Sequence, residues 1–95
     1  MNIQVKVLGL KVEKELAQGF TFSSEDAHNL TVSQLAQQLA YTFPLFAQKS
    51  FLSDGTFQPY LQVLINGQNI RHAQGAETII PDGAKVIFFT SVAGG

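Results

Sequence analysis

Thr31-Val32-Ser33-Gln34-Leu35-Ala36-Gln37-Gln38-Leu39-Ala40-Tyr41-Thr42-Phe43-Pro44 is the stretch on which the reading of the fold turns. Thr31 is a good N-cap residue, and Gln34 three positions on completes the form of a capping box. Val32, Leu35, Ala36, Leu39 and Phe43 recur at spacings of three and four, the stripe of an amphipathic helix. Pro44 disfavours helical geometry at Phe43 and closes the element. It is the clearest helix in the chain, and the segments on either side of it have a different period.

Toward the N-terminus, Ser24-Glu25-Asp26 is a polar break, and before it Phe20-Thr21-Phe22-Ser23 alternates with the period of a strand. Ile3, Val5 and Val7 alternate with Gln4 and Lys6 in the same way, so Asn2 to Leu8 reads as a half-buried strand. Gly9 punctuates its end. Lys11 to Gln18 suits either a short helical turn or a loop that returns the chain, and the two strands pair antiparallel. Toward the C-terminus, Pro44 to Gln58 reads as a long surface connection with a turn at Ser53-Asp54-Gly55. Tyr60 to Ile65 is apolar and β-branched enough for a central strand. Asn66-Gly67 is a strong hairpin signal because both residues tolerate positive φ, and a short strand at 69–71 would pair back. Glu77 to Ile80 is another short strand candidate, Pro81-Asp82-Gly83 is a turn, and Lys85 to Phe89 is the last strand. A hairpin, one main helix and further strands make a two-layer α+β domain. The order is that of a β-grasp, with a mixed sheet of four to five strands packed on the helix. Residues 1–89 form this domain and 90–95 form a C-terminal tail.

Composition limits what such a domain can do. The 95 residues carry six Lys+Arg and seven Asp+Glu, and charged residues make up only 14%, against about a quarter in an average domain. There is no cysteine, which excludes a disulfide scaffold, an iron–sulfur site and a Cys-ligated zinc module. No basic excess or stripe points to nucleic acid. No apolar run approaches the ~20 residues of a membrane helix, and the start Met1-Asn2-Ile3-Gln4 lacks the marks of a secretory signal. A cytoplasmic domain with little chemistry of its own is the expectation. His28 and His72 stand far apart with no partner ligand and read as exposed polar residues. No glycine-rich phosphate loop follows a strand, so any nucleotide would be bound by a partner.

The tail is the most informative segment. Gly-Gly is entropically expensive to order and offers nothing to pack, but without Cβ atoms it can enter a narrow channel and present a carboxylate there. The six residues after Phe89 reach roughly 20 Å if extended. Phe88 and Phe89 point to opposite faces of their strand. One therefore meets the helix, and the other is left exposed near the tail, where it favours a partner surface.

Asn66-Gly67-Gln68-Asn69-Ile70, Gly75, Thr78, Pro81-Asp82-Gly83, Val86, Phe88-Phe89 and Val92-Ala93-Gly94-Gly95 together resemble the MoaD/ThiS family of ubiquitin-like sulfur carriers. The similarity extends more weakly through Thr31 to Leu35 and Ile3 to Val7. The Val-Ala-Gly-Gly ending is similar to the MoaD branch, the small subunit of molybdopterin synthase. The resemblance implies that Gly95, preceded by Gly94, is adenylated by a ubiquitin-activating-type adenylyltransferase and converted to a thiocarboxylate. It implies that the sulfur is delivered within a molybdopterin synthase large subunit. It also implies that Phe89, Val92 and Ala93 form the apolar docking region. ATP and the sulfur donor would be used by the partner, with no cofactor or metal bound by this chain. The same activation chemistry also serves a ubiquitin-like modifier joined to other proteins through Gly95, or a carrier for thiamine or another sulfur pathway. The chain departs from many molybdopterin carriers in having Thr90-Ser91 where they have Pro-Pro, and in the length of its Pro44–Gln58 segment.

Overall fold

In a computed structural model, residues 1–24 and 29–90 are described. Strand β1 runs over Asn2–Leu8 with Ile3, Val5 and Val7 buried and the residues between them exposed. After a short helix α1, Lys14–Gln18, which buries Leu16, the chain returns as β2, Phe20–Ser23, antiparallel to β1 with Val5 opposite Phe20 and Asn2 opposite Ser23. Of the segment Lys11 to Gln18, whose sequence allowed either a helical turn or a loop, the part from Lys14 on is helical.

Helix α2 spans Val32–Thr42, with Val32, Leu35, Ala36 and Leu39 buried. Its capping box is complete: the Gln34 amide donates to Thr31 Oγ1 at 3.1 Å and the Thr31 amide to Gln34 Oε1 at 2.9 Å. Phe43 is extended (φ −121°, ψ 95°), as a residue before proline should be. The next segment corrects the sequence reading. Pro44–Ser50 is a third helix, α3, with Phe46 and Ser50 buried, and not a surface connection. Proline at its first position is preset for helical φ and gives up no needed donor. The cap comes from far away, as the Glu13 carboxylate accepts from the Leu45 and Phe46 amides at 2.7 and 3.1 Å.

The C-terminal half forms β3, Leu61–Ile65, β4, Gln68–Asn69, and β5, Lys85–Thr90. Asn66 and Gly67 take φ of 50° and 85°, the double positive φ expected of this hairpin turn. The short strand read at 69–71 is realised as the two-residue β4, which pairs back on β3 and gives way to a 3-10 turn at Ile70–His72, whereas 77–80 is not a strand, its first residue ending a 3-10 turn at Gly75–Glu77. Only Ile79 makes an isolated bridge, to Thr31. The backbone there is satisfied by turns and by the Ile80 amide donating to Leu30 O at 2.8 Å, without a ladder.

The five strands lie in the order β2-β1-β5-β3-β4. β5 is central, parallel to β1 and antiparallel to β3, so the sheet is mixed and the architecture is the ubiquitin-like β-grasp. One face of the sheet, with the helices, forms the core: Ile3, Val5, Val7, Val63, Val86 and Phe88 join Leu16, Val32, Leu35, Ala36, Leu39 and Phe46. The Phe88 ring meets that of Phe46 edge-on at 5.2 Å, and Phe20 meets Phe43 at 5.1 Å.

Candidate functional site

The site is the C-terminal exit of β5. A central strand is hydrogen-bonded on both sides, and here both ladders continue almost to the last strand residue. Phe89 lies opposite Leu8 of β1 and Gln62 of β3, and Thr90 lies opposite Leu61. The strand includes Thr90, the residue assigned from sequence to the start of the tail. The rest of the tail, with Val92, Ala93, Gly94 and Gly95, lies outside the described residues.

The two phenylalanines separate as alternation requires. Phe88 is fully buried against Phe46, and Phe89 is half-buried on the opposite face. Residues opposite each other in the ladders share a face, so Leu8 and Gln62 flank Phe89. One step along, Ile87 lies between Lys6 and Leu64. Leu8 is 44% exposed. The result is an apolar strip of Leu8, Phe89, Ile87 and Leu64 that ends where the tail begins. Asn69 Nδ2 donates to Gln62 Oε1 at 3.0 Å and fixes the polar side of the strip.

The charge on this face is of one sign. Lys6 and Lys85 are exposed on it, and none of the described strands contains Asp or Glu. A depression of about 280 Å³ lies between the two lysines, lined by Gln4, Val5, Lys6, Gly19, Lys85 and Ile87. A surface of this kind suits a partner that brings apolar side chains and carboxylates.

Sequence reasoning found Phe89 but not Leu8, Leu64, Ile87 or the lysines. A signal for Leu8 was present. With Ile3, Val5 and Val7 turned inward, Leu8 is an apolar residue in the polar phase of its strand. No comparable signal marks Leu64 and Ile87, because an apolar run in a central strand does not show which residues face outward.

Elsewhere, His72 is exposed in a 3-10 turn and His28 lies outside the described residues. Among the described residues no cluster of His, Cys, Asp or Glu could hold a metal, and no helix is long and apolar enough to cross a membrane. Asp54, in the turn after α3, is held below the ordinary carboxylate range by the Thr56 hydroxyl, at 2.6 Å, and by the Thr56 amide. These bonds close the turn.

Comparison with known proteins gives a consistent picture. Residues 10–95 match the ThiS family. A protein of Archaeoglobus fulgidus described as a candidate sulfur carrier is 37% identical over 70 residues, which is 74% of this chain and 80% of that protein. Small archaeal modifier protein 3 of Haloferax volcanii is 41% identical over 44 residues, 46% of this chain and 48% of that one. A chain of the Amycolatopsis orientalis BexX/CysO complex superimposes with a TM-score of 0.71 at 16% identity, covering 98% of this chain and 99% of that one, which is a likeness of fold.

Proposed function

Because the chain belongs to the ThiS family of ubiquitin-like sulfur carriers, we propose that Gly95 is its reactive residue and that the carried sulfur serves molybdopterin synthesis. A carboxylate is a poor electrophile. In the proposed sequence a Gly95 carboxylate oxygen attacks the α-phosphorus of ATP on a ubiquitin-activating-type adenylyltransferase. Pyrophosphate leaves, and a mixed acyl–phosphate anhydride remains. A hydrosulfide-level donor then attacks the acyl carbon, forming C–S and breaking C–O. AMP departs, a proton is released, and no electrons change hands. The thiocarboxylate is ionised and polarisable at neutral pH, so its sulfur attacks a carbon of the pterin precursor held by a molybdopterin synthase large subunit, a carbon–oxygen bond there breaks, and water then cleaves the acyl–sulfur bond to return Gly95 as the carboxylate.

This chain's part is to be held and to present its end. Leu8, Ile87 and Phe89 provide the apolar docking strip, with Val92 and Ala93 continuing it. Lys6 and Lys85 select carboxylates on the partner. Gly94 and Gly95 pass where a Cβ would not. ATP and sulfur donor are bound by the partner, and the domain supplies no base, metal or cofactor.

The observation that carries the reading is a β5 paired on both sides as far as Phe89, beside an open apolar strip, with a sequence that ends Val-Ala-Gly-Gly. The test is removal of Gly95. Adenylation, followed as pyrophosphate release, is expected to vanish while the thermal midpoint stays unchanged. An active truncated chain overturns the reading. Adding the large subunit and its precursor tests the acceptor, since sulfur must leave the thiocarboxylate. A second reading, a protein modifier joined through Gly95, is favoured by the likeness to a small archaeal modifier protein. It predicts isopeptide-linked conjugates in cells in place of free thiocarboxylate.

A further inference from the structure

Asn66 does two things at once. Its φ of 50° starts the turn between β3 and β4, and its side chain extends the ladder between β3 and β5 by one rung. The last regular pair at this end of that ladder is Ile65 with Val86. One step on, the Asn66 amide donates to Lys85 O at 2.8 Å, and the Lys85 amide donates to Asn66 Oδ1 at 2.9 Å. The carboxamide stands in for the main-chain carbonyl that an uninterrupted strand would offer there. Gly67 follows, exposed and with nothing within 4 Å of where a Cβ would stand. Among the described residues no group accepts a hydrogen bond from its amide.

An asparagine followed by glycine can close a ring. The glycine nitrogen attacks Cγ, so that N–Cγ forms and Cγ–Nδ2 breaks. Ammonia leaves with the amide proton, and a five-membered imide remains. Water then opens the imide at either carbonyl. The product is aspartate, or isoaspartate, in which the main chain runs through Cγ. A side chain on the following residue hinders the attack, and the other three asparagines precede branched residues, as Asn2-Ile3, Asn29-Leu30 and Asn69-Ile70. We propose that Asn66 is a latent modification site, converted through the imide to isoaspartate only when its rung with Lys85 opens. The site is independent of the role of Gly95.

Two features of the closed turn prevent the ring. An L residue at φ 50° has ψ of roughly +30 to +60° open to it. That sets the Gly67 nitrogen nearly opposite Cβ about the Cα–C bond, whereas ring closure needs both on one side. The bond from Lys85 also holds the carboxamide toward β5. Opening the hairpin end removes both obstacles. The change is then permanent, because isoaspartate adds one carbon to the main chain of a two-residue turn. The carbonyl that met Lys85 becomes part of that main chain, so turn and rung cannot both re-form. The first residue of β5 loses its partner on the β3 side, and Lys85 belongs to the open face of the sheet.

The test incubates the full chain at alkaline pH, in buffer and in concentrated urea, and follows conversion by peptide mapping that separates aspartate from isoaspartate. In urea Asn66 is expected to convert ahead of every other asparagine. In buffer it is expected to convert at least about tenfold more slowly, since reaction of an opened state tracks its population. Lys85→Pro removes the donor to Oδ1 at the first residue of a strand, where proline is tolerated. It is expected to raise the rate in buffer about fivefold, the effect of one net hydrogen bond on the open population. Lys85→Ala keeps the amide and is expected to match the unaltered chain. If Lys85→Pro does not fold, hydrogen exchange of the Lys85 amide decides. Its protection must then agree with the slowing of conversion within about threefold. Equal rates in buffer and urea, or no difference between Lys85→Pro and Lys85→Ala, overturn the gating by the rung. Another asparagine reacting first in urea overturns the site.

Discussion

Replacing Glu13 with alanine tests how a seven-residue helix comes to exist at Pro44–Ser50. Helices this short do not form alone, because nucleation is unfavourable and few bonds follow it. Here the first turn is held by a carboxylate 32 and 33 residues away in sequence, bonded to the Leu45 and Phe46 amides at 2.7 and 3.1 Å. The bond to Leu45 is exposed and the one to Phe46 partly buried, so the pair belongs near the middle of the range for N-caps, about 1.5 kcal/mol. In a domain of this size that loss lowers the thermal midpoint by on the order of 10 °C. Glu13→Gln keeps one acceptor oxygen and loses the favourable charge at a helix N-terminus, so about half of the effect is expected. The assay is urea and thermal unfolding followed by circular dichroism, with Glu15→Ala, an exposed glutamate in α1, as reference. The reasoning fails if Glu13→Ala and Glu15→Ala agree within about 0.5 kcal/mol, the range of ordinary surface changes. The consequence reaches the site, because α3 holds Phe46 against Phe88, the residue before Phe89.

Three further outcomes are expected. Ser50 is fully buried, and its hydroxyl has no hydrogen-bond partner, so Ser50→Ala should raise the urea midpoint, with a gain of about 1 kcal/mol; a loss of that size would show that the hydroxyl is satisfied. Leu8→Ser should raise the KM for the adenylyltransferase without changing the thermal midpoint, because the side chain is largely exposed and faces away from the core; an unchanged KM removes Leu8 from the docking strip. Asp54 has its carboxyl lowered from 3.8 by Thr56, so its contribution is complete above that pH and is lost as pH falls through the lower folded value. Titration of its carboxyl carbon by NMR should show the depressed midpoint in the unaltered chain and a higher one in Thr56→Ala, which loses the hydroxyl and keeps the amide bond, and equal midpoints would contradict the hydroxyl bond.

Most of what positions the site was legible in the sequence because it is written locally. The capping box at Thr31 and Gln34, the stripe from Val32 to Leu39, the period-two strands and the Asn66-Gly67 turn each depend on residues within a few positions of one another. Helix α3 was not legible for the opposite reason. Its cap, Glu13, lies in another element, and its buried face is little more than Phe46, too little for a period to show. The strand expected to pair back after the Asn66-Gly67 turn is there as β4, though only two residues long, and beyond it Ile70 and Ile80 reach the core from a 3-10 turn and from the residue after a single bridge, where no alternation is required. At the site, alternation separated Phe88 from Phe89 but could not say which of them faced the helix. That was settled by the register of β5 between β1 and β3.

The central claim is that this fold exists to present Gly95 for acyl activation and sulfur transfer. Intact-mass spectrometry of the full chain after incubation with the adenylyltransferase, ATP and hydrosulfide tests it most directly. The account predicts a mass increase equal to the difference between one sulfur and one oxygen atom, dependent on ATP and abolished by removing Gly95. An active enzyme that leaves the mass unchanged, or a gain that persists without Gly95, would contradict it.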